Sequence, residues 1–542
     1  MDSATCKAFK TLVFLFVLCC STVLAARIGN PPVVENAQYW NEGAQRRLKA
    51  AVNMRANTNV AKNVIFFLGD GMGLPSVTAG RILKGQLKGM SGEEEDLTFD
   101  KFPHSALIKT YNVDRQTSDS AGTATAFLCG IKANAGTVGV DYRASRTNCA
   151  QQKGKEVDSI LKWSLKEGKS VGIVTNTRLS HATPAASYAH SSERDWEGDA
   201  DMDGVQGGCK DITDQLISDN KDIQVILGGG RRTFIPLTEP DPVTGTNDQD
   251  KNRRDGRNLI KEWIQDKENR SLNHKVLYNK TDVLNTDIQN VQYLLGLFAT
   301  SHMPYELERD KSDSGQPSLA EMTELAIKVL RKNTKGYFLL VEGGRIDHAH
   351  HDSKGKRALH EVVAFDTTVE TAFNMTNEKD TLIVVTADHS HVFVIGGYPS
   401  RGNDILGLTD YFGNQPDEPP SDNKPATTLL YGNGPGHNAT HPRENLTGVD
   451  IHDIDYIQQS AVPMKWETHG AEDVAVYATG PMAHLFHGVQ EQNYIAHVMA
   501  YASCVGENKD HCKAKPVPSG QNPLRLSLSV LELLGILVFL LV

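Results

Sequence analysis

The sequence predicts an α/β protein: one large, mostly parallel central sheet, helices on both of its faces, and an inserted surface lobe. Three observations predict it. Continuous apolar runs recur along the chain, amphipathic stretches alternate with them, and the runs exit into Asp, Glu, His or Thr among glycines. Strands buried on both faces read as unbroken apolar runs, and the helices between them supply the crossovers of a parallel sheet. Functional groups then collect beyond the carboxyl ends of the strands, so the polar exits are expected to converge on one place.

In chain order, Val33 to Met54 spaces Trp40, Ala44, Leu48 and Ala51 as a peripheral amphipathic helix. Asn63 to Gly69 reads as a buried strand that runs into Asp70-Gly71-Met72-Gly73, where glycine permits close backbone approach to a ligand. Ser120 opens a small-residue helix, with Asp119 before it. Val157, Ile160, Leu161 and Leu165 form one apolar stripe, and Met322, Leu325, Ala326, Val329 and Leu330 another. Val171 to Thr175 leads to Ser180-His181-Ala182-Thr183, Val225 to Leu227 leads to three glycines, and Leu382 to Thr386 leads to Asp388-His389. Tyr337 to Val341 leads to the densest stretch: Glu342, Asp347, His348, His350, His351 and Asp352. Pro240 to Arg257 is polar and reads as a surface excursion, while Gly396 to Lys465, rich in Gly, Pro, Asn and Asp, reads as the inserted lobe.

With 542 residues there is room for a large core, and 39% apolar with 23% charged residues is ordinary for a globular protein. A net charge of −10 and a pI near 6.0 argue against a nucleic-acid partner. Lys7 and Lys10 precede an apolar core and small residues up to Ala26, which reads as a secretory signal over 1–26, cleaved near Ala25. The 17 residues from Leu526 to Val542 would span about 25 Å as a helix, short of the roughly 30 Å hydrocarbon core. A removed tail (526–542) directing a GPI anchor onto a stalk (506–525) fits better. The expected division is then a catalytic core over 27–395, a crown-like lobe over 396–465 and a return to the core over 466–505. Past the signal, Cys129, Cys149, Cys209, Cys504 and Cys512 remain, an odd number that leaves one free thiol. Cys504 with Cys512 closes a small loop, and Cys149 with Cys209 is the next candidate pair, leaving Cys129 buried. Asn269, Asn279, Asn374, Asn438 and Asn445 are glycosylation acceptors.

Carboxylates and imidazoles crowded at the end of a buried strand repel or desolvate one another unless cations balance them, and this donor set suits zinc. Ser120, at a helix start whose amides attract anions, is placed to attack a phosphate or to receive one. No nearby His base precedes it in the sequence, so a metal would have to stabilise its alkoxide.

Asp70-Gly-Met-Gly, Asp119-Ser120-Ala-Gly-Thr-Ala-Thr, His181-Ala-Thr-Pro, Glu342-Gly-Gly-Arg-Ile-Asp347-His348-Ala-His-His351, Thr386-Ala-Asp388-His389-Ser-His and Glu467-Thr-His469, in this order, resemble the animal alkaline phosphatases over nearly the whole chain. The resemblance implies an extracellular, GPI-anchored homodimer that hydrolyses phosphate monoesters through a phosphoserine on Ser120. It implies one zinc on Asp347, His351 and His469, a second on Asp70, Asp388 and His389 with Ser120, and magnesium on Asp70, Thr183 and Glu342. Arg194 matches the phosphate clamp, oriented by Asp119, and His181 and His348 match positions that tune the site. His350 and His391 are expected to be structural. Vertebrate relatives carry a calcium-type site with an acidic residue after Gly-Leu-Phe; here Gly296-Leu297-Phe298 is followed by Ala299, which leaves calcium in doubt. A sulfatase-type relative would need a Cys/Ser-x-Pro-x-Arg segment that Ser120 lacks. Ser120 and Arg194 disfavour a phosphodiesterase, and the complete ligand set disfavours a surface receptor with a relic site.

Overall fold

The computed structural model describes residues 35–411 and 419–513; the expected signal segment, most of the stalk and the tail lie outside the described residues. Two units are distinguished, divided after Ala56. In the first, Ala37–Asn53 is helical as its spacing predicts, capped by the Asn36 side chain on the amide of Tyr39, and none of its residues is buried. No helix among the described residues is long and apolar enough to cross a membrane.

The second unit carries strands β1 (Asn63–Gly69), β2 (His104–Lys109), β3 (Ser170–Arg178), β4 (Val225–Gly229), β5 (His274–Leu277), β6 (Tyr293–Leu297), β7 (Tyr337–Gly343), β8 (Thr381–Ala387), β9 (Ser390–His391), β10 (Phe393–Ile395), β11 (Leu429–Gly434), β12 (Ser460–Pro463), β13 (His469–Gly470), β14 (Val474–Thr479) and β15 (Val489–Glu491). Ten of them form one sheet in the order β15, β2, β14, β8, β1, β7, β3, β4, β6, β5. Only β14 runs against its neighbours, β2 and β8. The apolar runs therefore became central parallel strands, as predicted.

Burial on both faces is visible in two adjacent residues of β1. Successive side chains on a strand point to opposite faces. Phe66 meets Phe127 of the Ser120–Cys129 helix at 5.2 Å between ring centroids, and Phe67 meets Phe365 of the Gly355–Met375 helix at 6.0 Å. The predicted stripe at Met322 to Leu330 lies on the Leu319–Leu330 helix, which packs against the Gly355–Met375 helix. The other stripe forms the Ile160–Lys166 helix, starting after Val157 because Ser159 caps it.

Register sets where the strands discharge. Leu68 lies beside Glu342 on one side and Thr386 on the other, and Thr175 lies beside Glu342. The carboxyl ends of β8, β1, β7 and β3, four neighbours at the centre of the sheet, are thereby level. The expected lobe carries its own three-stranded sheet, β10, β11 and β12, beginning at Phe393, slightly before the expected Gly396. Ile405, Leu406, Leu429 and Tyr431 pack there with Ala79, Leu83 and Leu359.

Cys149 pairs with Cys209 and Cys504 with Cys512, and Cys129 is free and buried, as the sequence suggested. Four of the five acceptor asparagines are exposed; Asn279 is half-buried and caps Lys280–Leu284.

One expectation is corrected. Pro240 to Arg257 is not merely a surface excursion, because Arg253 is 1% exposed and anchors the segment inside. Its guanidinium grips Asp211 at 2.9 and 3.1 Å and Asp255 at 2.6 Å. Two carboxylates make burial of that charge tolerable. The segment's Asp241 likewise pairs with buried Arg231 at 2.8 Å. Removing one partner of a buried pair leaves the other uncompensated, so Arg253→Ala is expected to destabilise the protein by about 3–5 kcal/mol in denaturant unfolding.

Candidate metal centre

Every residue that the sequence singled out for metal binding is brought to the level strand ends. Asp70 follows β1, Glu342 closes β7, and Asp388 and His389 follow β8. His181 and Thr183 follow β3. Asp347 and His351 lie four apart on the Arg345–His351 helix and so share one of its faces. A two-stranded ladder pairs His469 of β13 with His391 of β9, which carries the late His469 back to the site. Gly71, at φ 69°, makes the turn after β1; a Cβ there would fall 2.4 Å from His391 Nε2. Only glycine suits both the left-handed backbone and that approach.

Three groupings emerge. In the first, Asp347 Oδ1 lies 3.4 Å from His351 Nε2 and 3.3 Å from His469 Nε2, and the two imidazole nitrogens are 3.0 Å apart. The far nitrogens are fixed by backbone: His351 Nδ1 meets the carbonyl of Glu467 at 2.6 Å and His469 Nδ1 that of Ser118 at 2.7 Å. Both rings therefore turn an Nε2 lone pair inward, the arrangement that metal-binding histidines use. In the second, His389 Nε2 lies 3.0 Å from Asp388 Oδ2 and 3.7 Å from Asp70 Oδ1. Ser120 Oγ joins it at 3.3 Å from His389 Nε2 and 3.5 Å from Asp70 Oδ1. The third consists of oxygens: Asp70 Oδ2, Glu342 Oε1 and Thr183 Oγ1 are all buried without a hydrogen-bond partner. The other Glu342 oxygen accepts from Thr175 and Thr177.

Ser120 is the first residue of its helix, and Asp119 caps it by accepting from the amides of Ala121 and Gly122. Asp119 also receives Arg194 Nη1 at 3.1 Å, which aims that guanidinium at the serine side of the site. Arg194 Nη2 lies 3.2 Å from His181 Nε2.

Charge makes the arrangement unstable by itself. Burial, then Asp388, Asp347 and Glu342, push the Asp70 carboxyl well above the usual range. Burial raises Glu342 to about 7 and Glu467 to about 9. Asp347 is held well below the usual range: against burial, His351, His391 and His469 stabilise its charge. Four buried carboxylates around unpartnered oxygens call for cations, and the donors divide by type. Imidazole with carboxylate suits zinc in the first two groupings, and hydroxyl with carboxylates suits magnesium in the third. The residues present fit the ions that the resemblance implies.

His350 is structural as expected, with Nε2 on Ser76 and Nδ1 on Tyr431, both at 2.8 Å. His391 stands closer to the chemistry than expected. It bridges Glu467 Oε2 at 2.5 Å and Asp347 Oδ1 at 2.8 Å, and so orients Asp347. At Gly296 to Ala299, the Leu297 carbonyl accepts from the Arg231 guanidinium and the Ala299 carbonyl from the backbone amides of Gly230 and Arg231, so both oxygens are already engaged. Sequence reasoning missed His302, which packs on His181 and His348 from the loop after β6. No motif surrounds it, and a lone histidine in a loop carries no signal.

The alkaline phosphatase family model matches residues 61–505. The tissue-nonspecific alkaline phosphatase of Felis catus is 53% identical over 513 residues, covering 94% of this chain and 96% of the relative. An alkaline phosphatase of Gadus morhua is 53% identical over 89% of this chain and all of its own length. Among solved structures, the alkaline phosphatase of Thermus thermophilus superposes with a TM-score of 0.58 at 22% identity, over 83% of this chain and 93% of its own. That of the Antarctic bacterium TAB5 gives 0.55 at 20% identity, over 83% and 100%. These two bear out the fold. With its motifs gathered at the carboxyl ends of the central strands and more than half of the aligned residue pairs identical to animal relatives, the chain belongs to the alkaline phosphatase family.

Proposed function

We propose that the chain, as an alkaline phosphatase, releases inorganic phosphate from phosphate monoesters through a phosphoserine at Ser120, at a site for two zinc ions and one magnesium ion. Asp347, His351 and His469 would hold one zinc, and Asp70, Asp388 and His389 the other. Asp70, Thr183 and Glu342 would hold magnesium. The observation that carries this reading is the set of buried, unpartnered oxygens on Asp70, Glu342 and Thr183, with Asp70 itself 3.5 Å from Ser120 Oγ. When bound, the cations supply positive charge that stabilises the attacking and departing oxygens and makes water more acidic.

The chain's own groups divide the remaining work. Ser120 Oγ attacks phosphorus and the ester oxygen departs, leaving phosphate on the serine; water then attacks phosphorus and frees the serine. Helix amides behind Ser120 favour the anion. Arg194, steadied by Asp119, grips two oxygens of the phosphoryl group with its planar fork. His181 and His348 tune the surroundings of these groups. A homodimer on the outer face of the plasma membrane, held by a GPI anchor and glycosylated at the exposed acceptors, is the cellular setting we propose.

Four outcomes are expected. Ser120→Ala should retain its metal content by elemental analysis while turnover of an aryl phosphate falls on the order of 10⁴-fold; unchanged turnover would remove Ser120 as nucleophile. A chelator should abolish activity, with zinc and magnesium together restoring it better than either alone. Glu342→Gln should lower magnesium content and spare zinc. Arg194→Ala should weaken competitive inhibition by inorganic phosphate about 10- to 100-fold, the strength of a charge-assisted hydrogen bond.

A further inference from the structure

The loop that carries Arg194 is held from behind by a second arginine, Arg146. Two acids, Glu193 and Asp195, flank Arg194 in the chain. Glu193 is only 6% exposed. Arg146 takes its carboxylate with two parallel bonds, Nε to Oε2 and Nη2 to Oε1, both at 2.8 Å. The same Nη2 lies 3.5 Å from Asp195 Oδ2. One guanidinium thus engages the acids on both sides of the clamp, in the fork geometry that makes such pairs strong.

The backbone around Arg146 is shaped for that grip. Gly136 stands at φ 76°, and a Cβ there would fall 2.4 Å from Arg146 Nε, so the guanidinium lies where any other residue would place its side chain. Gly136 in turn accepts the backbone amide of Arg194 at 2.9 Å. Against burial, Arg194 and the amide of Gly136 hold the Asp119 carboxyl below its ordinary value, so this glycine serves both members of the Arg194–Asp119 pair. Beside Arg146, Thr147 sits at φ 64°, a strained position for a β-branched residue that persists only where its surroundings enforce it. Its amide donates to the carbonyl of Ser192 at 2.9 Å, two residues before Arg194. The disulfide from Cys149 to Cys209 fastens the same segment.

Without Arg146, Glu193 would be a buried carboxylate that has lost its cation. Such a group is costly until it finds another, and the next residue carries one. The Arg194 fork already spends Nη1 on Asp119 and turns Nη2 toward His181 at 3.2 Å. A third claim on it would draw it from the phosphoryl oxygens.

We propose that Arg146 is a positioning residue for the phosphate clamp: it occupies the two acids that flank Arg194 and so leaves the Arg194 guanidinium to Asp119 and the phosphoryl group. The proposal rests on the function above, in which Arg194 grips that group.

The test uses the metal-loaded full chain, with phenyl phosphate as substrate and inorganic phosphate as competitive inhibitor. In Arg146→Gln, KM for phenyl phosphate and the inhibition constant of phosphate are expected to rise together about 10-fold, while kcat stays within about threefold. Arg146→Lys keeps the charge without the fork and is expected to recover part of the loss. Adding Glu193→Gln to Arg146→Gln removes the carboxylate that was set free, and is expected to recover most of it. A merely supporting role for Arg146 would make that second buried change deepen the loss. Arg143→Gln, which removes the same charge from an exposed pair with Asp141, is expected to leave both constants within about twofold. Nearly half of the Arg146 side chain is in solvent, so the variants are expected to fold; should Arg146→Gln not fold, Arg146→Lys and the double variant carry the comparison. Unchanged constants in Arg146→Gln, an equal loss in Arg143→Gln, or no recovery in the double variant would overturn the proposal. Undiminished phosphate inhibition in Arg194→Ala would instead sink the clamp, and with it the function proposed above.

Discussion

The structure turns on four buried carboxylates, Asp70, Glu342, Asp347 and Asp388, gathered where adjacent strands end. At 4 Å, two like charges in a protein environment repel by about 4 kcal/mol, and burial adds its own penalty to each. Folding tolerates this only through proton uptake, imidazole partners or cations. Asp70 and Glu342 show the first response in their raised pKa values, and Asp347 and Asp388 show the second through His351 and His389. The unpartnered oxygens of Asp70, Glu342 and Thr183 are left for the third. A set of donors that is strained when empty binds tightly when filled, which is the condition a catalytic metal site needs.

The frame imposes that crowding through register. Because β8, β1, β7 and β3 discharge at one level, Asp70, Glu342 and Asp388 cannot withdraw along their strands without dragging a ladder of hydrogen bonds and a row of buried apolar side chains. Ser120 is held differently, by the first turn of a helix in which every residue is buried. The proposed nucleophile therefore sits on one element and its charged neighbours on others. The whole is pre-positioned before any substrate arrives.

The sequence made the central strands legible because residues buried on both faces must be apolar without interruption. The acids at their exits stood out because nothing but chemistry explains a charge there. Asp347 and His351 stood out only as members of a dense polar stretch, and their pairing, like the role of His469, came from the resemblance; the route of His469 back to the site runs through a two-residue ladder with no pattern of its own. Arg253 was misread because a buried arginine and a surface arginine look alike until their partners, Asp211 above all, are known. His302 was invisible for the same reason: its meaning lies in what it touches across 121 and 46 residues of chain, at His181 and His348.

Acid and base are sorted into opposite sides of one site. Toward the sheet lie carboxylates that await cations; toward the surface lie Arg194, Arg345 and three imidazoles that burial and the neighbouring arginines hold neutral. A phosphate monoester needs both, since its phosphorus must be approached by an anion while its oxygens are gripped by donors. Cations alone would bind phosphate and water indiscriminately, whereas donors fixed in direction, as Arg194 is by Asp119, discriminate by shape and charge. The imidazoles suit that side because they are neutral: they surround the arginines without adding positive charge that would repel a cation.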